Sequence, residues 1–429
     1  MLPRDSHAAP LVSWTLDHGA TLHPAVEVYH DATTGLSIRV KPGAAAAVSP
    51  SEAIVSIPSR LSLSYLNALG NLPEAFTSLR PHVVGRFFLI QQHLLGKDSF
   101  WFPYIQALPQ PSDRDAWELP PFWPEDDAEL LDGTNVEVAI QKIRQDVRSE
   151  FNEARQVLSR LNHRLADINP SLYHWAYCIF SSRSFRPSLV LSEPPLPQGV
   201  KVDDFSVLLP LFDIGNHDMT ASVNWVSQHE TCALHVDRSH HPGEQVFNNY
   251  SMKTNAELLL GYGFMIPASE QLHNDYTHVR KRTGTPEASE EYYISLRPMN
   301  DASSLLGRSK QTIDAPSVLS SFRHVQHDMV WDIFCTLADP SKRQGLTPER
   351  VVTGDVDGEL REALQQTAAV IQHKVLQELE RLNETDVEVD DDQRADLTRN
   401  QRLALDYREA CRGVLESTLE AIAGDETFD

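Results

Sequence analysis

From about residue 26 to about residue 60 apolar and polar positions alternate with the period of two that marks half-buried strands. The run VEVYHDATTGLSIRV, residues 26–40, predicts two strands around a turn at Thr34-Gly35, and EAIVSIPSRLSLS predicts a further strand broken at Pro58. Ahead of them LVSWTLDHGA, residues 11–20, predicts a short helix ended by Gly19. From about residue 64 to residue 175 the period lengthens. RFFLIQQHLLG and VEVAIQKIRQDVRSEFNEARQVLSRL carry helical spacing, separated by the proline-rich LPQPSDRDAWELPPFWP.

After residue 200 extended sequence resumes in FSVLLPLFDIG, TCALHVDR, YTHVRKR and EYYISLRP. Within this region FNNYSMKTNAELLLGYGF predicts a strand ending at Tyr250. A helix then opens at Asn255, capped by Thr254 or Asn255, with Leu258, Leu259 and Leu260 toward a core and Tyr262-Gly263-Phe264 closing it. The last stretch is helical again. Leu364, Ala368, Ile371, Val375 and Leu379 recur by threes and fours, as do Leu403, Tyr407, Ala410 and Val414, which gives two long amphipathic helices. Between them ETDVEVDDDQRAD reads as a solvated acidic linker. The order β, α, β, α over 429 residues implies an α+β chain of more than one domain.

Composition narrows the partners. Sixty acids against 37 bases leave a formal charge of −23, which argues against phosphate backbones and anionic membranes; a basic protein partner fits better, and solubility alone is the plainer alternative. Cys178, Cys232, Cys335 and Cys411 lie far apart with no metal-ligand spacing, so buried free thiols and no metal site are expected. With no leader-like start and no long apolar run, a cytoplasmic or nuclear setting is the expectation.

Two polar clusters could carry chemistry. In LLPLFDIGNHD an apolar run leads into Asp213, Gly215, Asn216, His217 and Asp218. Singly each has an ordinary structural use, as a cap, a turn or a buried imidazole; together they offer several directed hydrogen bonds. About thirty residues later comes the stretch around Tyr250, and SSRSF adds Arg183, whose planar fork suits a carboxylate. Motifs for nucleotide hydrolysis, dinucleotide redox, α/β-hydrolase and zincin chemistry are absent.

In this order GKDSFWFPYIQALP, SSRSF, LLPLFDIGNHD, GEQVFNNYSMKTNAELLLGYGF and HND resemble successive motifs of SET-domain protein methyltransferases of the Rubisco large-subunit methyltransferase type. The resemblance spans most of residues 11–285. It implies a SET-domain β-fold of small twisted sheets with a helical insertion, followed by a C-terminal all-α substrate-binding domain. The corresponding segments would be 11–72 and 171–290 for the SET domain, 73–170 for the insertion and 300–429 for the helical domain. It also implies S-adenosylmethionine as methyl donor, and a protein substrate presenting a lysine to a monomeric enzyme, with a ribosomal protein or translation factor as the kind of target. Histidine methylation, or a noncatalytic interaction role on the same scaffold, are the alternatives.

Carried over by position, Tyr250 is the tyrosine facing the transferring methyl and contacting substrate. Asn216 and His217 hold the donor, Arg183 lies beside donor and target, and Phe264 packs near the adenine. Tyr262 and Asp213 belong to the substrate side, and Thr33, Thr34 and Gly35 form the turn against the donor. At two places the chain departs from the family pattern: Thr33 stands where a Gly-x-Gly turn has its first glycine, and Ser251 stands where a glycine follows the tyrosine.

Overall fold

The computed structural model describes residues 5–281, 291–309, 317–387, 389 and 396–428. Much of the expected acidic linker lies outside the described residues. The chain forms two compact units, residues 1–118 with 144–251, and residues 119–143 with 252–429. These units cut across the four family segments given above.

The first unit holds small antiparallel sheets. Strands β1 (Thr21–Leu22), β4 (Ala53–Pro58), β9 (Thr231–Val236) and β8 (Val223–Gln228) form a sheet in the order β1-β4-β9-β8. Strands β2 (Val26–Asp31) and β3 (Gly35–Val40) pair as a hairpin from Val26↔Val40 to Asp31↔Gly35. Strands β5 (Leu63–Ser64), β7 (Val207–Leu208) and β6 (Ser184–Phe185) make a third, very short sheet. The first helix runs Asp5–Asp17, beginning before the expected residue 11. Gly19 follows at φ 85, a left-handed turn that glycine adopts at little cost.

Helix Pro81–Leu95 starts with proline at its first turn, where no N–H is missed, and buries Val83, Val84, Phe87, Phe88 and Ile90. Helix Pro170–Arg183 is capped by Asn169, whose side chain accepts the Ser171 N–H, and buries Tyr173 and Trp175. Between these helices lies a buried ionic knot. Arg86 Nη1 meets Glu150 Oε2 at 2.5 Å, His82 Nε2 meets Glu150 Oε1 at 2.9 Å, and the Tyr173 hydroxyl donates to Glu150 Oε2 at 3.0 Å.

The second unit holds the hairpin of β10 (Tyr276–Arg280) and β11 (Glu291–Ser295) and the long helices Gly358–Glu384 and Arg399–Ala423. Asp357 and Thr398 cap the two long helices at their N-termini. On the first of them Leu364, Ala368, Ile371 and Val375 are buried as the spacing predicts. On the second the core stripe is Ala404, Tyr407, Cys411, Val414 and Leu415, so Leu403 and Ala410 sit at its edge. Buried Arg408 donates to the carbonyls of Leu130, Asp132 and Leu382, which lie at helix C-terminal ends where carbonyls have no intrahelical partner, and the Thr385 hydroxyl donates to the last two as well.

Of two expected strands one is cut short and the other is not formed. The run leading to Asp213 pairs only at Val207 and Leu208, because Pro210 has no N–H for a ladder and Leu211 takes φ 72, ψ −36 before a 3-10 turn at Phe212–Ile214. The segment ending at Tyr250 makes only isolated bridges, Arg39↔Gln245 and His217↔Asn248. Its asparagine side chains take over local bonding: Asn248 Oδ1 accepts the Asn249 N–H at 2.8 Å, and Asn249 Oδ1 accepts the Ser251 N–H at 2.8 Å.

Candidate active site

Segments 215–218 and 248–250 run side by side in the first unit. The Asn248 N–H donates to the Asn216 carbonyl at 2.7 Å, the Asp218 N–H donates to the Asn248 carbonyl at 3.0 Å, and His217 bridges Asn248 in parallel. The glycine at 215 favours the close approach: a Cβ there would stand 3.1 Å from the Asn248 Cβ, tight enough to push the two segments slightly apart. Asn248 is fully buried and its Oδ1 also accepts the Trp225 indole N–H at 2.8 Å, which ties the crossing to β8.

Tyr250 is held on three sides by this crossing. Its hydroxyl donates to the Gly215 carbonyl at 2.8 Å, its backbone N–H donates to His217 Nδ1 at 3.1 Å, and its ring stacks on the imidazole at 4.9 Å and 12°. The N–H reaching Nδ1 requires a lone pair there, so His217 is the tautomer protonated at Nε2. A phenol whose proton is committed to a carbonyl presents its remaining lone pairs outward as acceptors.

Asn216 connects this crossing to the β2–β3 turn. Its Nδ2 donates to Ser37 Oγ at 2.7 Å and to the Leu36 carbonyl at 3.3 Å, while Ser37 Oγ donates to the Gly35 carbonyl at 3.0 Å and lies 2.9 Å from Thr34 Oγ1. Asp31 Oδ1 accepts the N–H groups of Thr33 and Thr34 at 2.9 and 3.0 Å, an Asx turn that shapes the backbone without the first family glycine. Thr33 is not among the residues at positive φ, whereas Gly35 is at φ 73 with nothing within 4 Å of a Cβ position. Ser251, the other departure, does stand at φ 78.

Arg183, the last residue of its helix, places Nη1 3.5 Å from both Oδ2 and the carbonyl of Asp213, and keeps 29% of its side chain exposed. The Asp213 carboxylate is buried and also accepts the Tyr104 hydroxyl at 3.0 Å. Burial pushes the Asp213 carboxyl above its ordinary value, with Arg183 and the Tyr104 hydrogen bond pulling the other way.

Of the residues expected at the site, Arg183, Asp213, Asn216, His217 and Tyr250 come together in the first unit, and Thr34 and Gly35 join them through Ser37. Thr33 contributes its backbone N–H to the turn. Tyr262 and Phe264 belong to the second unit, where their rings lie 6.2 Å apart at 65° around Gly263, at φ 74. There the Lys253 ammonium lies 5.8 Å over the Tyr262 ring, and Arg399 donates to the Gly263 carbonyl at 2.7 Å. Among the described residues no group of three or more His, Cys, Asp or Glu side chains gathers as a metal site would need.

The fold is similar to solved structures. The SET domain of Rubisco large-subunit methyltransferase, solved with lysine and S-adenosylhomocysteine, matches 99% of this chain and 92% of its own with a TM-score of 0.68 at 17% identity. The chain has the SET fold of the Rubisco large-subunit methyltransferase type. No family model matches it. Among curated proteins, the SET-fold chain is 28% identical over 303 residues to ribosomal lysine N-methyltransferase set10 of Schizosaccharomyces pombe, covering 66% of this chain and 52% of that protein. It is 25% identical over 296 residues to the protein-lysine N-methyltransferase EFM1 of Saccharomyces cerevisiae, covering 59% and 48%. The chain thus spans about half the length of the curated relatives it matches.

Proposed function

We propose that this SET-fold protein transfers a methyl group from S-adenosylmethionine to a lysine side chain of a basic, non-histone protein such as a ribosomal protein or translation factor. The observation that carries the reading is the three-way fixation of Tyr250 on the Gly215 carbonyl, His217 Nδ1 and the imidazole face. The residues suit the donor's chemistry: Arg183 can take its carboxylate, open backbone at Gly35 admits a ligand against the main chain, and carbonyl and phenol oxygens meet positive charge. When bound, S-adenosylmethionine supplies an electrophilic methyl on a sulfonium.

The chain's own part is orientation and desolvation. A lysine ammonium near pKa 10.4 must first give its proton to solvent, at a cost of about 4 to 5 kcal/mol at neutral pH. A cationic donor beside it lowers that cost by like-charge repulsion. Tyr250 keeps its own proton on Gly215, so its oxygen accepts from the amine N–H and aims the nitrogen lone pair. The N–CH3 bond then forms as the S–CH3 bond breaks, and the positive charge passes to the product amine. The roles of Tyr262 and Phe264 as channel wall and adenine neighbour rest on the family resemblance.

Histidine as the target is a second reading, favoured by 23% identity over 328 residues to actin-histidine N-methyltransferase of Gallus gallus. Against the noncatalytic reading stands the ordered turn at Thr33 and Thr34, whose N–H groups both bond to Asp31 Oδ1 without a first glycine. The experiment is a calorimetric titration of S-adenosylmethionine with a parallel turnover assay on wild type and Tyr250→Phe. Binding should stay within about threefold while turnover falls at least about a hundredfold. Equal loss of both in a folded variant, or no binding to the wild type, would overturn the reading.

A further inference from the structure

The family-like run GKDSFWFPYIQALP has no part in the chemistry above, yet it delivers a side chain to the site from behind. Its helix Phe102–Ala107 places Tyr104, 1% exposed, with the hydroxyl donating to Asp213 Oδ2 at 3.0 Å. The same Oδ2 is the atom Arg183 approaches at 3.5 Å. Tyr104, Asp213 and Arg183 therefore form a chain running from the core to a half-exposed guanidinium.

We propose that Tyr104 is a positioning residue for ligand carboxylate binding: it fixes the Asp213 carboxylate, which in turn holds Arg183 so that its outer edge can grip the carboxylate of the methyl donor. This rests on the methyltransferase reading above. Three observations support it. First, both contacts of Arg183 with Asp213 are made by Nη1, so the Nε and Nη2 edge is the one left for a planar, bidentate partner. Second, a buried carboxylate with a single cation at 3.5 Å is poorly compensated by that cation alone. The phenol supplies the second donor and fixes which oxygen faces Arg183. Third, the two supporting segments are tied together a second time, because the Trp175 indole N–H, on the helix that ends at Arg183, donates to the Pro109 carbonyl at 2.8 Å. Together these ties hold the Tyr104 segment and the Arg183 helix in one register.

The position of Tyr104 before a helical Ile-Gln-Ala also explains why a phenol is needed rather than a smaller hydroxyl. Its Cα lies on a different element from Asp213, and only a long, stiff side chain spans the gap with little entropy to lose. Phenylalanine fills the same volume and lacks only the donor, which makes Tyr104→Phe the clean probe.

The test compares two ligands that share an adenosine thioether: S-adenosylhomocysteine, which carries the carboxylate, and methylthioadenosine, which does not. Calorimetry on the full chain, with a thermal melt to confirm folding, should show wild type binding both. In Tyr104→Phe the affinity for S-adenosylhomocysteine should fall about five- to tenfold, the size of a mispositioned charged hydrogen bond, with affinity for methylthioadenosine unchanged within about twofold. Asp213→Asn, which keeps an acceptor for the phenol and removes the charge, should reproduce the same ligand-selective loss. Equal weakening of both ligands, or none, in folded variants would overturn the positioning role while leaving the methyltransferase reading intact. Failure of wild type to bind either ligand would instead remove that reading, and this proposal with it.

Discussion

Ser251 holds a left-handed backbone, φ 78, one residue after Tyr250. For a residue with a Cβ that conformation costs about 1 kcal/mol, and the Asn249 Oδ1 bond to its N–H helps retain it. Ser251→Gly should therefore raise stability by up to about 1 kcal/mol in urea unfolding, less whatever the more flexible unfolded chain takes back. A loss of 1 kcal/mol or more would mean that the serine hydroxyl matters more than the backbone strain. At this scale the sequence was informative about reactive groups and silent about their supports. Tyr250, Asn216 and His217 stand out because amide, imidazole and phenol are costly to gather by chance. Ser37, Asn248 and Tyr104 look like ordinary strand, turn and helix residues, and their importance appears only once Asn216, Trp225 and Asp213 are found on them.

Elements were legible where one period persisted. The helices 81–95, 137–160 and 399–423 and the β2–β3 hairpin follow their apolar spacing. Strand β8 carries no turn signal in the sequence, because its turn into β9 uses His229 and Glu230 at φ 47 and φ 62 in place of Asn-Gly or Asp-Gly. The strand expected before Asp213 shrinks to Val207–Leu208 ahead of Pro210, and the one expected before Tyr250 is reduced to isolated bridges. Between helix 81–95 and helix 170–183 the Glu150 knot makes a prediction. Burial opposes ionisation, but hydrogen bonds and charge from His82 and Arg86, with the Tyr173 hydroxyl, outweigh it and bring the carboxyl down to about 2 from 4.5. A depressed carboxyl contributes stability above its unfolded value and loses it as pH falls through the folded one, so the loss should run from about pH 4.5 toward pH 2. Its size is on the order of 3 kcal/mol. Chemical denaturation from pH 6 to pH 3 should show a shallower acid loss in Glu150→Gln than in wild type; parallel curves would show that the knot does not govern acid stability.

For the whole molecule, charge is distributed unevenly along the chain. Residues 119–143 and 252–429 hold 38 of the 60 acids and 20 of the 37 bases. An excess of that size attracts a basic protein and is screened over about 10 Å at 0.1 M salt. KM for a basic protein substrate should therefore rise several-fold between about 50 and 300 mM salt with kcat unchanged. A KM indifferent to salt would remove charge from substrate choice. Methyl transfer by this protein depends on Tyr250 facing a transferable methyl. Tritium-labelled S-adenosylmethionine, incubated with candidate basic proteins and with wild type or Tyr250→Phe, tests that directly once the labelled residue is mapped. Label should appear on a lysine Nζ with wild type and be nearly lost with the variant; undiminished label with Tyr250→Phe, or none with wild type that binds the donor, would rule out that role for Tyr250.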